Sequence, residues 1–183
     1  MRIISGKFGG RKLVHFQADH LRPTTDRIKE SIFNSWSERL PEAKVLDLFS
    51  GTGNLSFEAI SWGAASVVSV EMNKKSIAII EKNRELLGVG KEQRIINKDV
   101  LKFLKSYDSE SFDLIFIDPP FTKKMADEVM QAVSQSKVFH QDTLIVIEST
   151  KHETIKDQYG DIFLYRRKDY GDKKLSFYEL GEN

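Results

Sequence analysis

Asp118-Pro119-Pro120-Phe121 is the stretch whose residue types can do chemistry together. It follows Phe112-Asp113-Leu114-Ile115-Phe116-Ile117, an apolar run of strand length rich in aromatic and β-branched residues. A carboxylate at the carboxyl end of a buried strand lies at the crevice where open α/β sheets bind ligands. Two consecutive prolines fix φ and lack N–H groups, so no helix starts at once and their carbonyls are expected to face a ligand. Phe121 closes the turn with a flat ring. Acceptors beside a stacking plate suit a planar base that carries an exocyclic amine. A strand-ending Asp-Pro turn accounts for the same four residues without any function, so residues upstream have to decide.

Upstream stands Asp47-Leu48-Phe49-Ser50-Gly51-Thr52-Gly53-Asn54, between an apolar strand and a helix. Glycines at such a place let the backbone approach a ligand and expose N–H groups at a helix start. Glu71 ends the next strand, twenty positions after Gly51, where an acid hydrogen-bonds ribose hydroxyls in dinucleotide folds. Asp99 follows the third strand and is placed to meet an adenine amino group, with Met72 and Val100 on either side of the ring. A dinucleotide is disfavoured. The third glycine of G-x-G-x-x-G is missing, Phe57 and other bulky residues fill that stretch, and Asp47 would repel a pyrophosphate. S-adenosylmethionine fits better, since its ammonium, sulfonium, ribose and adenine each find an acidic partner. Any one of these acids alone reads equally well as a capping carboxylate; three at successive strand ends do not.

The elements that must position these groups alternate. Strands are expected at 45–49, 66–70, 94–96, 112–117 and 143–147, and helices at 55–62, 74–87, 100–104 and 124–136, with a short helix after the fifth strand. That order implies a mostly parallel sheet covered on both faces. Ile162-Phe163-Leu164-Tyr165 and Leu175-Ser176-Phe177-Tyr178, joined by Asp169-Tyr170-Gly171-Asp172, add a terminal antiparallel hairpin. The expectation is an α/β, Rossmann-like fold with a seven-stranded sheet over 41–183, preceded by a small hairpin-and-helix extension over 1–40. In that extension a glycine-rich turn, Gly6 to Gly10, separates Arg2-Ile3-Ile4 from Lys12-Leu13-Val14. A helix follows Thr24-Thr25-Asp26, whose residues are all plausible caps, and runs to about Leu40. Arg2, Lys7, Arg11, Lys12, Arg22 and Arg27, with Lys29, make this segment basic, and no acid precedes Asp19. Such a surface can follow a phosphate backbone, or serve as a solvated edge hairpin.

Bulk properties narrow the rest. The chain has 183 residues, 40% hydrophobic and 30% charged, with a net charge of +1, so a nucleic-acid surface has to come from clustering. It has no cysteine, and its four histidines lack ligand spacing, so no metal is expected. No apolar run approaches membrane-spanning length and the opening residues form no signal-peptide core, which makes a cytoplasmic monomer the expectation.

Asp47 to Gly53 with Asp118-Pro119-Pro120-Phe121 resembles a class I S-adenosylmethionine-dependent amino-methyltransferase. More narrowly, Arg2-Ile3-Ile4-Ser5-Gly6-Lys7-Phe8-Gly9-Gly10-Arg11-Lys12-Leu13 and Arg22-Pro23-Thr24-Thr25-Asp26-Arg27-Ile28-Lys29-Glu30 resemble the bacterial RsmD family. The similarity extends to Asp169-Tyr170-Gly171 and Phe177-Tyr178; Asn54 and Phe57 stand where smaller residues are expected, and Lys173-Lys174 is more basic than usual. The resemblance implies methylation of a guanine N2 in 16S ribosomal RNA, free or in a small-subunit assembly intermediate. Cofactor contacts would come from Asp47, Phe49, Ser50, Gly51, Gly53, Asn54, Glu71, Met72, Asp99 and Val100. Asp118 and the Pro119 carbonyl would accept the two N–H bonds of the attacking amine, with Pro120 completing the turn and Phe121 stacking on the base. The tetrapeptide alone serves an adenine-N6 methyltransferase equally well, and a non-catalytic RNA-binding factor remains a third reading, disfavoured by the intact acids.

Overall fold

Each apolar run becomes a strand because both of its faces are covered. The computed structural model describes residues 1–15 and 25–181. Its parallel strands are β1 (Lys44–Leu48), β2 (Ser66–Glu71), β3 (Gln93–Asn97), β4 (Phe112–Ile117) and β5 (Phe139–Thr150). The antiparallel end consists of β6 (Gln158–Tyr159), β7 (Ile162–Tyr170) and β8 (Lys173–Leu180). The strand order is β3-β2-β1-β4-β5-β8-β7-β6, which reverses direction between β1 and β4. That reversal is the topological switch point of an open α/β sheet. β1 and its neighbours end level, with Leu48 opposite both Val70 and Ile117. The first residues beyond these strands therefore share one edge of the sheet.

The helices divide between the two faces. α1 (Asp26–Ser35), α2 (Asn54–Ser61) and α3 (Lys74–Leu87) cover one face, where Ile28, Ile32, Phe33, Phe57, Ile60 and Ile80 join the core. α4 (Val100–Ser106) and α5 (Ala126–Ser134) cover the other, through Phe103, Leu104, Val129 and Met130. On the first face Phe116 of β4 meets Trp36 at 5.7 Å and Phe33 at 5.5 Å between ring centroids, and Trp36 meets Phe177 of β8 edge-on at 5.8 Å. Aromatic pairs of this kind add about 0.5–1.5 kcal/mol each beyond their buried area. They fasten α1 across the middle of the sheet.

Several details differ from the sequence expectations. The sheet has eight strands rather than seven, the extra one being the two-residue β6. α1 stops at Ser35, not Leu40, although Trp36 and Leu40 stay buried in the turns that follow. Thr25 is its cap, accepting from the Ile28 N–H at 3.3 Å. After β5 the chain forms a turn at 151–153 instead of a helix. The amino-terminal hairpin is reduced to one bridge, Arg2 with Lys12, around a 3-10 turn at Gly6–Phe8. Lys29, counted above among the surface cations, is 1% exposed and ion-paired with the buried Glu58 at 3.1 Å. Its charge hides it in the sequence, because a lysine reads as solvated even beside Ile28 and a turn before Ile32 and Phe33.

The Glu58 carboxylate also accepts from the Ile4 and Ser5 N–H groups and from Trp62 Nε1. Lys29 Nζ donates to the Arg2 carbonyl and to Asn54 Oδ1. Removing one partner of a buried pair costs about 3–5 kcal/mol because the other charge stays desolvated. Lys29→Met is expected to lower the unfolding free energy in urea by about 3 kcal/mol, the low end of that range, since Glu58 keeps three other donors. Trypsin should then cut at Arg2, Lys7 or Arg11 before the rest of the chain opens; wild-type stability and cleavage would refute this role.

Candidate active site

The acids singled out in the sequence converge at the carboxyl ends of the parallel strands. The loop after β1 turns through left-handed backbone at Phe49 (φ 63°), Gly51 (φ 55°) and Gly53 (φ 85°). At Gly53 a Cβ would stand 2.7 Å from the Phe57 ring, so a side chain there has no room. Ser50 Oγ donates to the Asp47 carbonyl at 2.7 Å and the Ser50 N–H to the Val70 carbonyl at 3.1 Å. The Gly51 N–H donates to Glu71 Oε2 at 2.8 Å, and the Asn73 N–H to Glu71 Oε1 at 2.7 Å. Glu71 thus pins the loop, and each of its oxygens accepts a backbone N–H there. Burial raises its pKa, and the N–H groups that it accepts oppose that rise.

Asp47 is 1% exposed. Its Oδ2 accepts from Ser56 Oγ, which lies 2.8 Å from Ser69 Oγ, and Gln93 Nε2 donates to Ser69 Oγ at 2.9 Å. Its Oδ1 is buried and has no hydrogen-bond partner among the described residues. Burial pushes the Asp47 carboxyl up to about 7, with Asp118 and Glu71 adding like charge. An orphaned buried acceptor between two further acids fits a cationic ligand group and repels a phosphate.

The other predicted cofactor residues lie along the same edge. Asp99 caps α4 through the Lys102 N–H at 3.1 Å, the structural role that a lone strand-end acid can fill. Met72 is 57% exposed beyond Glu71, whereas Val100 is buried. Asn97 Nδ2 donates to the carbonyls of Glu71 and Met72, holding the β2 and β3 ends together. Asn54 is buried at the α2 start and its Oδ1 faces Lys29.

Across the switch point the Asp118 N–H donates to the Leu48 carbonyl at 3.4 Å. Asp118 is half-buried, Pro119 buried, and Phe121 39% exposed at the head of a 3-10 turn. The Pro120 carbonyl does not stay available as expected, since it accepts from the Lys123 N–H at 2.9 Å. Glu148, near Asp118 and close to the end of β5, is a further acid of this edge, not among those expected from the sequence. The rule that selected Glu71, Asp99 and Asp118 also selects it, an acid closing an apolar strand. It is buried, ion-paired through Oε1 with Lys173, and its Oε2 has no hydrogen-bond partner among the described residues. Burial and the Asp118 charge raise its pKa, against the pull of Lys173.

Of the predicted RNA contacts, Lys7 and Arg11 flank the Phe8 ring at 4.9 and 5.5 Å, and Arg2 pairs with Asp26 at 2.9 Å. Lys12 is exposed beside them, Arg27 sits 5.8 Å over Tyr170, and Arg22 lies outside the described residues.

A family model described as conserved hypothetical protein 95 matches residues 1–179 of this chain. A Haemophilus influenzae protein named ribosomal RNA small subunit methyltransferase D is 35% identical, over 85% of this chain and 81% of its own. The Escherichia coli K12 protein of that name is 31% identical, over 98% of this chain and 89% of its own. The solved structure of a putative methyltransferase, yhhF, from Escherichia coli superposes with a TM-score of 0.87 at 28% identity, covering 100% of this chain and 99% of that one. The fold of this chain is accordingly that of the class I methyltransferases.

The raised carboxyls have a stability consequence whose sign is fixed. From the ordinary carboxylate range near 4 up to about 7, folded Asp47 holds a proton that the unfolded chain has released. Stability should therefore fall as pH rises through that window. Asp47→Asn keeps the shape and is expected to flatten the fall in urea unfolding free energies. An unchanged pH slope would mean that Asp47 is ionised throughout.

Proposed function

This chain belongs to the RsmD family, and on that premise we propose that it methylates the exocyclic N2 amine of a guanine in small-subunit ribosomal RNA. The observation that carries the reading is the level ending of β1 and β4, Leu48 opposite Ile117. It sets the acid-lined loop beside Asp118-Pro119-Pro120-Phe121, a donor pocket next to a base pocket. The methyl donor is S-adenosylmethionine, which supplies an electrophilic sulfonium methyl.

Asp47 Oδ1, beside the turn of the Phe49–Gly53 loop, suits the ammonium at the amino-acid end of that donor. Glu71 suits the ribose, and Met72, Asp99 and Val100 suit the adenine. Phe49, Ser50, Gly51, Gly53 and Asn54 shape the loop between them. Transfer to nitrogen is an in-line displacement, so positioning dominates over acid–base work. The Asp118 carboxylate and Pro119 carbonyl accept the two amine hydrogens and turn the nitrogen lone pair toward the methyl group. Positive charge that grows on nitrogen is stabilised by Asp118. Phe121, with its exposed ring, stacks on the base, a contact worth about 1–3 kcal/mol. A base paired in a helix has first to leave the stack, at a cost of a few kcal/mol.

Ionised by its pairing with Lys173, Glu148 beside Asp118 would favour guanine over adenine. Guanine presents its N1–H donor next to the N2 amine, whereas adenine presents a bare acceptor next to N6. Two neighbouring carboxylates suit two neighbouring donors.

Mapping of methylated nucleosides in ribosomal RNA by mass spectrometry, after incubation with the protein and S-adenosylmethionine, tests the reading. N2-methylguanosine at one position in the small-subunit RNA is expected; N6-methyladenosine in its place would transfer the assignment to adenine. Asp118→Asn keeps the shape and loses the charge, so single-turnover transfer should slow by about 10²–10³ with cofactor affinity unchanged. A rate within threefold of wild type would show that Asp118 is not the acceptor. Replacing Arg11 and Lys12 together by Ala should weaken RNA binding and make its salt dependence shallower, by about 0.7–0.9 log units per lost phosphate contact. Unchanged RNA affinity would make the hairpin a solvated edge.

A further inference from the structure

α1 and β7 meet along a seam that opens outward as a groove of about 400 Å³. Arg27, Ser31 and Ser35 line it from the helix, Arg166, Lys168 and Tyr170 from the strand, and Glu30 is the one acid in the lining. A β-bulge at Tyr165 creates this arrangement. Leu164 lies opposite Tyr178, but Arg166 lies opposite Phe177, so the strand gains one residue. Ile162 and Leu164 therefore pack with Tyr178 on the face covered by α4 and α5, while Arg166, Lys168 and Tyr170 turn toward α1.

The cations in this groove are held without being neutralised. Lys168 Nζ donates to Ser31 Oγ at 3.0 Å and Arg166 Nη1 to Ser35 Oγ at 3.3 Å. The Arg166 guanidinium lies 6.0 Å from the Phe177 ring centroid and Arg27 lies 5.8 Å from that of Tyr170. Among the described residues none of the three is ion-paired with a carboxylate. Arg167, on the opposite face of the same strand, pairs with Asp157 at 3.1 Å, and Arg84 pairs with Glu81 at 2.9 Å.

Position gives the row a direction. Arg27 stands level with Tyr170, Lys168 is two residues along β7 and Arg166 four, so the three charges span about 13 Å at strand rise. Tyr170 pairs with Lys173, the partner of Glu148, at the sheet edge that holds Asp118. The row starts at that edge, on the third strand from β4, and leads away from it. Regularly spaced cations, steered by Ser31 and Ser35 Oγ, match the repeating charge of a sugar-phosphate chain.

We propose that the groove between α1 and β7 binds the sugar-phosphate backbone of the substrate RNA, at nucleotides flanking the target base. This rests on the RNA methyltransferase reading and adds to it Arg166 and Lys168, which lie more than a hundred residues from the basic amino-terminal segment. Binding of small-subunit ribosomal RNA, titrated with salt, tests it on the Arg166→Gln, Lys168→Gln double variant. Two lost phosphate contacts should make the slope of log K against log salt shallower by about 1.4–1.8, and lower affinity at 0.1 M salt by roughly tenfold or more. S-adenosylmethionine affinity and the thermal midpoint should not change. A Lys82→Gln, Lys105→Gln control removes equal charge from exposed helix positions and should leave the slope near wild type. The proposal is overturned if the groove variant keeps the wild-type slope, as it would if the groove served an acidic protein segment, or if the control loses as much. A wild type that binds RNA through the groove yet forms no N2-methylguanosine would instead refute the proposed reaction and leave the groove standing.

Discussion

Everything on the ligand side of this molecule hangs from the buried Glu58 carboxylate. Five hydrogen bonds converge on it from the Ile4 and Ser5 backbone, Lys29 of α1 and Trp62 beyond α2. Glu58 lies on α2, whose amino terminus is the loop Gly51 to Gly53. One anion thereby fixes the amino-terminal segment, α1 and the helix that carries the loop in a single relation. An apolar residue in its place would leave the buried Lys29 charge without its carboxylate and two backbone N–H groups unpaired. The charge is retained because three separate segments bring donors to the same place.

The opposite imbalance marks the sheet edge. Asp47, Glu71, Asp118 and Glu148 crowd the carboxyl ends of four strands, and burial holds Asp47, Glu71 and Glu148 above the usual carboxylate range. Packing alone does not call for this. Orphaned oxygens on Asp47 and Glu148 are acceptors for which the described residues offer no donor. A crevice of that kind is complementary to cations and to amines, and is hostile to phosphate.

A protein that handles a polyanion with such a crevice has to keep the two apart. The formal net charge of +1 conceals a separation, with acids at the strand ends and exposed cations on the hairpin, α1 and β7. On the proposed reading, long-range attraction acts on the RNA backbone while the acidic crevice takes an uncharged base. The proposed division of labour needs no large overall charge.

The seven longer strands of the sheet and the acids Asp47, Glu71 and Asp118 on or just beyond them were legible in the sequence alone, because apolar periodicity and strand length are local properties. The same holds for the Thr25 cap, one of three candidates named, and for the strand-ending tetrapeptide. Other features depend on which elements meet. Lys29 reads as a surface cation until Glu58 arrives from α2, and the Pro120 carbonyl reads as available until the next turn supplies the Lys123 N–H. In β7 the alternation Ile162, Leu164, Arg166, Lys168 looks like one face. A bulge at Tyr165 splits it into two, since register is set by pairing with β8 and by Trp36, whose Nε1 donates to Tyr165 at 3.0 Å. Local pattern names the residues of an element; only its packed neighbours decide which way they point.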